Sequence, residues 1–259
     1  MHKFIHRGLT LEYEISGKGI PLLFLHGMGG SVRQIYSTYE PIEGIRLITM
    51  NQQGHGDSDA DWEHYDFRSL ADDAIALLDL LNIEKVYLAG ISMGAAVSLN
   101  LASRFSDRVS GLLLIRNAWT DKPMSEEVAT AYYDLGMSLK NGGPEAFYKT
   151  KGWNIVKGCS SYTKQAFLSV FSEPSCIKNW QKYLILPNKA PIASLEALSK
   201  LNMPVTILAN RNDLCHPYEY GEYLRKHIAQ SVLVEIPDKD KDSNGHKAMI
   251  NQSILSFIR

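Results

Sequence analysis

Val86-Tyr87-Leu88-Ala89-Gly90-Ile91-Ser92-Met93-Gly94-Ala95-Ala96-Val97 is the stretch whose reading decides the fold. Val86 to Ala89 is a short apolar run of strand length, and Gly94 to Arg104 has the composition of a helix. Between them, Gly90-Ile91-Ser92-Met93-Gly94 must turn the chain sharply. A glycine on each side lets the backbone pass closely, and the turn holds the serine hydroxyl up on its crest. Ser92 could instead do no more than cap the helix, so the motif needs partners elsewhere in the chain before it means chemistry.

Working outward, the same grammar recurs on both sides. Pro21 to Leu25, Arg46 to Met50 and Leu112 to Ile115 are continuous apolar runs, and Phe67 to Leu81 carries Leu70, Ala74, Leu77, Leu78 and Leu81 at helical spacing. Strands apolar on both faces that alternate with helices predict a mostly parallel sheet covered on two sides. Lys3 to Ile15 alternates loosely and turns at Arg7-Gly8, predicting an opening hairpin. After Arg116 the pattern changes. From Ala118 to Lys200 the chain is helical in character and rich in aromatics, cut by Pro123, Gly142-Gly143-Pro144, Pro174 and Pro187. Sheet grammar resumes at Val205 to Ala209 and Val232 to Ile236, and a helix from Lys247 to Ile258 closes the chain. The division expected is a core of residues 1–117 and 201–259, with 118–200 inserted after the sixth strand as a helical cap over the sheet's carboxyl edge, where ligands of α/β sheets bind.

The 259 residues are 45% hydrophobic and 21% charged, and Lys+Arg 27 against Asp+Glu 28 leaves a net charge of −1. That composition builds a core without disulfides or metal, and the balanced charge gives no electrostatic case for nucleic acid or an anionic membrane. The N-terminus Met1-His2-Lys3-Phe4-Ile5 has no signal-peptide h-region, and no apolar run is long enough for a membrane span. The three cysteines, Cys159, Cys176 and Cys215, show no metal-ligand spacing, and a reducing cytoplasm is the expected location. With no dinucleotide fingerprint or P-loop lysine after the Met28-Gly29-Gly30 loop, no cofactor is expected. A small-molecule substrate is the expected partner.

His26-Gly27-Met28-Gly29-Gly30, Gly54-His55-Gly56-Asp57-Ser58, the Ser92 turn, Asp213-Leu214-Cys215-His216-Pro217 and Gly245-His246, in that order, resemble the α/β-hydrolase family over essentially the whole chain. The resemblance implies Ser92 as nucleophile, His246 as base and Asp213 as the acid, with the backbone N–H groups of Met28 and Met93 as an oxyanion hole. Asp121 and Asp57 are rival acids. The family's other position for the acid, at the end of the strand Leu112 to Ile115, holds Arg116-Asn117, which favours Asp213. His216 and His55 are expected to be structural or pocket-lining, His26 to bond within its own loop, and His2, His6, His64 and His227 to lie at the surface. Two departures stand out. Pro237 to Asn244 is a longer, heavily charged loop before His246, expected to be solvated, and Asn51 stands where an acidic residue is common.

Serine rather than aspartate at the turn argues against alkyl-ester chemistry of the dehalogenase or epoxide hydrolase kind and for acyl transfer. The inserted segment has no arginine, so it offers no forked partner for a substrate carboxylate. A small or medium, largely apolar ester, lactone or thioester is the substrate expected, with enol-lactone or carbon–carbon bond hydrolysis as the alternatives. Acyl transfer to an acceptor other than water, and a ligand receptor that has kept the three residues, are further possibilities.

Overall fold

The apolar runs bury both faces by alternation. In β3 (Ile20–Leu25), Leu23 and Leu25 enter one core cluster and Leu22 and Phe24 another; in β6 (Val109–Ile115), Leu112 and Leu114 face the first and Leu113 and Ile115 the second. Side chains alternate across a strand, so a run apolar at every position can only sit inside a sheet covered twice. The structure is a computed structural model and describes residues 1–258.

The other strands are β1 (His2–His6), β2 (Leu9–Gly17), β4 (Ile45–Asn51), β5 (Val86–Ile91), β7 (Val205–Ala209) and β8 (Ser231–Glu235). Together they form one eight-stranded sheet in the order β1-β2-β4-β3-β5-β6-β7-β8. β1 and β2 are the expected hairpin, turning at Arg7 and Gly8, both at positive φ. β2 joins β4 antiparallel, and every later pairing is parallel.

Helix α1 spans Val32–Thr38, α2 Phe67–Leu80 and α3 Met93–Arg104. Asp66 caps α2, accepting the Ser69 N–H, while the Ser69 hydroxyl accepts the Asp66 N–H in return. α2 and α3 pack on the first cluster, and α1 packs on the second with the C-terminal helix. Between β6 and β7 the chain forms α4 (Glu126–Asn141), α5 (Gly143–Phe147), α6 (Lys151–Val156), α7 (Ser161–Ser169), α8 (Pro174–Lys178), α9 (Lys182–Ile185) and α10 (Glu196–Ser199), with no strand. Their aromatics stack on one another, Tyr132 on Phe167 at 4.9 Å and on Tyr183 at 6.1 Å. Leu135, Phe147 and Phe167 join the same cluster as the sheet's Leu23 and Leu112. α11 (Tyr218–His227) follows β7, and α12 (Ser243–Ile258) follows β8.

The last helix starts four residues earlier than expected. Asp242 accepts the Gly245 N–H at 2.7 Å, the bond of an N-cap residue, so Ser243 and Asn244 are helical and His246 lies in the first turn. Nor is the charged loop before it merely solvated. Asp240 accepts the N–H groups of Ser161 and Tyr162 at 2.5 and 2.6 Å, at the N-terminus of α7, where unsatisfied donors and the helix dipole favour a carboxylate. Among the described residues no helix is long and apolar enough to cross a membrane.

Candidate active site

The turn between β5 and α3 holds Ser92 at φ 54° and ψ −111°. A serine rarely adopts this conformation unless its surroundings impose it. The two flanking glycines are required by contact. A Cβ on Gly94 would stand 2.2 Å from the Leu25 carbonyl oxygen, and one on Gly90 would stand 2.2 Å from Gly94's own backbone. Ser92 heads α3, yet its side chain caps nothing. Its hydroxyl donates instead to His216 Nε2 at 2.9 Å.

His216 lies three residues beyond Asp213, in the loop between β7 and α11. Its Nδ1 is 3.0 Å from both oxygens of the Asp213 carboxylate. An acceptor-only carboxylate at that distance requires the proton on Nδ1, which leaves Nε2 free to accept from Ser92. The turn that brings the two together is held by Asp213 Oδ1, which accepts the N–H groups of Cys215 and His216 at 3.2 Å each.

Sequence reading expected His246 beside Ser92, and the geometry corrects this. His246 Nδ1 donates to the Pro237 carbonyl at 2.7 Å, and among the described residues Nε2 has no hydrogen-bond partner. The cause is local: with Asp242 capping α12, His246 is fixed in the helix's first turn and tethered to the loop it was expected to extend. Burial pushes its imidazole down to about 4. The rival acids lie elsewhere, Asp57 exposed and Asp121 facing Tyr223. Only proximity in the sequence linked His216 to Asp213, and an Asp-x-x-His spacing is common to many turns.

Arg116, at the end of β6, is buried, and its Nε and Nη2 both donate to Asp213 Oδ2, the Nε bond at 3.2 Å. Nη2 also lies 3.2 Å from His216 Nδ1; both nitrogens carry protons, so that contact is repulsive. Burial alone would raise the Asp213 carboxyl, but the charges of His216 and Arg116 outweigh it and hold Asp213 far below the usual carboxylate range. His216 itself is lowered, chiefly by burial, with Asp213 opposing and Arg116 adding to the fall.

The Met28 loop lies against this turn. A Cβ on Gly27 would sit 3.4 Å from the Ser92 Cβ. The amides on either side of Met28 are occupied, Gly27 N–H by Gln34 Oε1 at 2.7 Å and Gly29 N–H by His55 Nε2 at 3.2 Å. Among the described residues the N–H groups of Met28 and Met93 meet no protein acceptor. His26 bonds within its own loop and to the next: its Nδ1 donates to the Gly27 carbonyl at 2.9 Å, and its Nε2 accepts the Gln52 N–H at 3.1 Å. Asn51 uses both ends of its amide, accepting from Val32 and donating to Glu12; an aspartate there would face the Glu12 carboxylate with like charge.

A cavity of about 390 Å³, mouth included, opens beside His216 and Met28, with Leu135, Phe167 and Val170 as apolar walls and Tyr132 and Tyr183 among its lining. Among the described residues, no cluster of three His, Cys, Asp or Glu side chains is placed to hold a metal ion.

Comparison with known proteins bears on the fold. A model of the α/β hydrolase fold family matches residues 20–139. An AB hydrolase superfamily protein, YisY, of Bacillus subtilis is 28% identical over 96% of this chain and 95% of its own. The 3-oxoadipate enol-lactonase 1 of Acinetobacter baylyi is 26% identical over 92% of this chain and 88% of its own. The crystal structure of an enol-lactonase from Burkholderia xenovorans superposes with a TM-score of 0.81 over 99% of both chains at 17% identity, a likeness of fold. The sheet order, the serine-bearing turn after β5 and these matches together show that the chain has the α/β-hydrolase fold.

Proposed function

We propose that the protein is a serine hydrolase that cleaves a small or medium, largely apolar carboxylic ester or lactone through an acyl-enzyme, with Ser92 as nucleophile, His216 as base and Asp213 as acid. The observation that carries this is the unbroken contact from Ser92 Oγ to His216 Nε2 at 2.9 Å and from His216 Nδ1 to Asp213 at 3.0 Å. His216 takes the hydroxyl proton as Oγ attacks the carbonyl, and Asp213 stabilises the imidazolium that forms. The Met28 and Met93 N–H groups, already without acceptors, receive the charge that develops on the carbonyl oxygen. The imidazolium returns its proton to the departing alkoxide. A water deprotonated by His216 then attacks the acyl-enzyme and frees Ser92.

Residues 118–200 serve in this scheme as a cap. They supply most of the cavity wall, while the reacting groups come from loops at the carboxyl ends of β3, β5 and β7. The apolar walls support an apolar acyl or ring portion, and the enol-lactonase relatives keep lactones within the substrate class. The test is turnover of a panel of p-nitrophenyl esters and simple lactones by wild type and Ser92→Ala. Hydrolysis that disappears in Ser92→Ala, with stoichiometric labelling of Ser92 by a fluorophosphonate, supports the proposal. Equal turnover by the two proteins overturns it.

A further inference from the structure

We propose that Arg116 is a positioning residue, which by sharing the Asp213 carboxylate with His216 holds the imidazole in its neutral, proton-accepting form and extends its working range toward acid. The effect on turnover rests on His216 being the base; the effect on the imidazole does not.

Two observations carry it. The first is the allocation of the carboxylate. Oδ1 accepts the Cys215 and His216 N–H groups, while Oδ2 takes both the Nε and Nη2 of Arg116. Asp213 is thus neutralised by a permanent cation before His216 is protonated at all, since a guanidinium does not lose its charge in proteins. The second is the sum of charge around the ring. From β6 comes Arg116, from the loop before α12 comes Lys239, and Asp213 is the carboxylate in contact. His246 of α12 is held neutral by burial, with the two cations adding to that. Cys215 is pushed up by burial, and Tyr132 of α4 is raised by burial as well, so both keep their protons. Tyr162 of α7 is lowered: burial alone would raise it, but Arg116 and Lys239 outweigh burial. Its ring lies 5.1 Å from the Arg116 guanidinium and 4.3 Å from Lys239 Nζ. Two cations against one carboxylate disfavour a third positive charge on His216.

The backbone also commits Arg116 to this place. It sits at φ 51°, a conformation costly for a side chain of its size, with its N–H donating to the Leu208 carbonyl at 2.8 Å. The side chain so directed ends on Asp213.

The experiment is an NMR titration of the His216 imidazole, its signal assigned by its loss in His216→Gln, in wild type, Arg116→Met and Arg116→Lys. Wild type should titrate below the ordinary histidine value. Arg116→Met should raise the midpoint by about one pH unit or more, and Arg116→Lys should fall between. The acid limb of kcat/KM should move with it, a change that mere loss of packing would not produce. An unshifted midpoint in folded Arg116→Met overturns the proposal, and so does a wild-type midpoint at or above the ordinary value, which needs no variant. A shifted midpoint with turnover indifferent to Ser92→Ala would leave Arg116's role standing and remove the hydrolase reading.

Discussion

Replacing His216 by Asn, beside the same change at His246, separates the two histidines that follow β7 and β8. His216→Asn removes the group 2.9 Å from Ser92 Oγ and leaves a hydroxyl with no base. Loss of a histidine that acts as one unit with its serine costs up to ~10⁶ in kcat, and general-base assistance alone is worth roughly 10²–10⁴. Hydrolysis of p-nitrophenyl acetate should therefore fall by about four to six orders of magnitude. His246→Asn deletes the part-buried bond to the Pro237 carbonyl, which costs about 0.5–1.5 kcal/mol of stability. Among the described residues it makes no hydrogen bond to Ser92 or His216, so turnover should stay within about tenfold of wild type, the scale of a modest misplacement rather than a lost base. The assay is burst and steady-state release of p-nitrophenolate at pH 8, with urea unfolding run alongside. A His246→Asn protein that is folded and inactive, next to an active His216→Asn, would refute the assignment. It would mean that α12 and its loop rearrange to carry His246 to the serine.

Asp213→Asn should lower kcat by about 10⁴, because an amide no longer demands the Nδ1 proton and the wrong tautomer then faces Ser92; turnover near wild type would show that the carboxylate only shapes the loop. Gly94→Ala should destabilise the fold by about 1–3 kcal/mol in urea unfolding, because the Cβ 2.2 Å from the Leu25 carbonyl oxygen forces backbone apart and outweighs the better helix propensity of alanine. A gain in stability would mean that the turn is not packed as described. His26 has no exposure, and burial lowers it to about 4. The unfolded chain therefore takes up a proton at the ordinary value near 6.5, which the folded chain refuses until about 4. Stability that is whole above the higher value drains away as pH falls to the lower one, by about 3 kcal/mol from this residue. His26→Asn should be less stable at neutral pH and show a shallower loss between pH 7 and 4.5. Parallel slopes for the two proteins would contradict this.

The sequence by itself determined the sheet, its two buried faces and the serine-bearing turn. Those are properties of neighbours along the chain: an apolar run such as Leu22 to Leu25 has nowhere to go but inside, and Gly90 and Gly94 are the residues that a turn this tight demands. It also contained Asp213, Arg116, His216 and His246, but not their pairing. Spacing says nothing about which way a side chain leaves its loop. A one-residue decision at Asp242, capping α12 early, turned His246 into a helix and tied it to Pro237. The backbone N–H groups of Cys215 and His216, folding onto Asp213, swung the nearer imidazole toward Ser92. Likewise, nothing local marks Arg116 as the partner of a carboxylate far along the chain, or Asp240 as the anchor of α7. Such long-range hydrogen bonds form only once the parallel strands set β6 beside β7 and bring the loops at their ends into one small, water-poor space. There an unpaired charge is too costly to keep, so tertiary structure chose the partners.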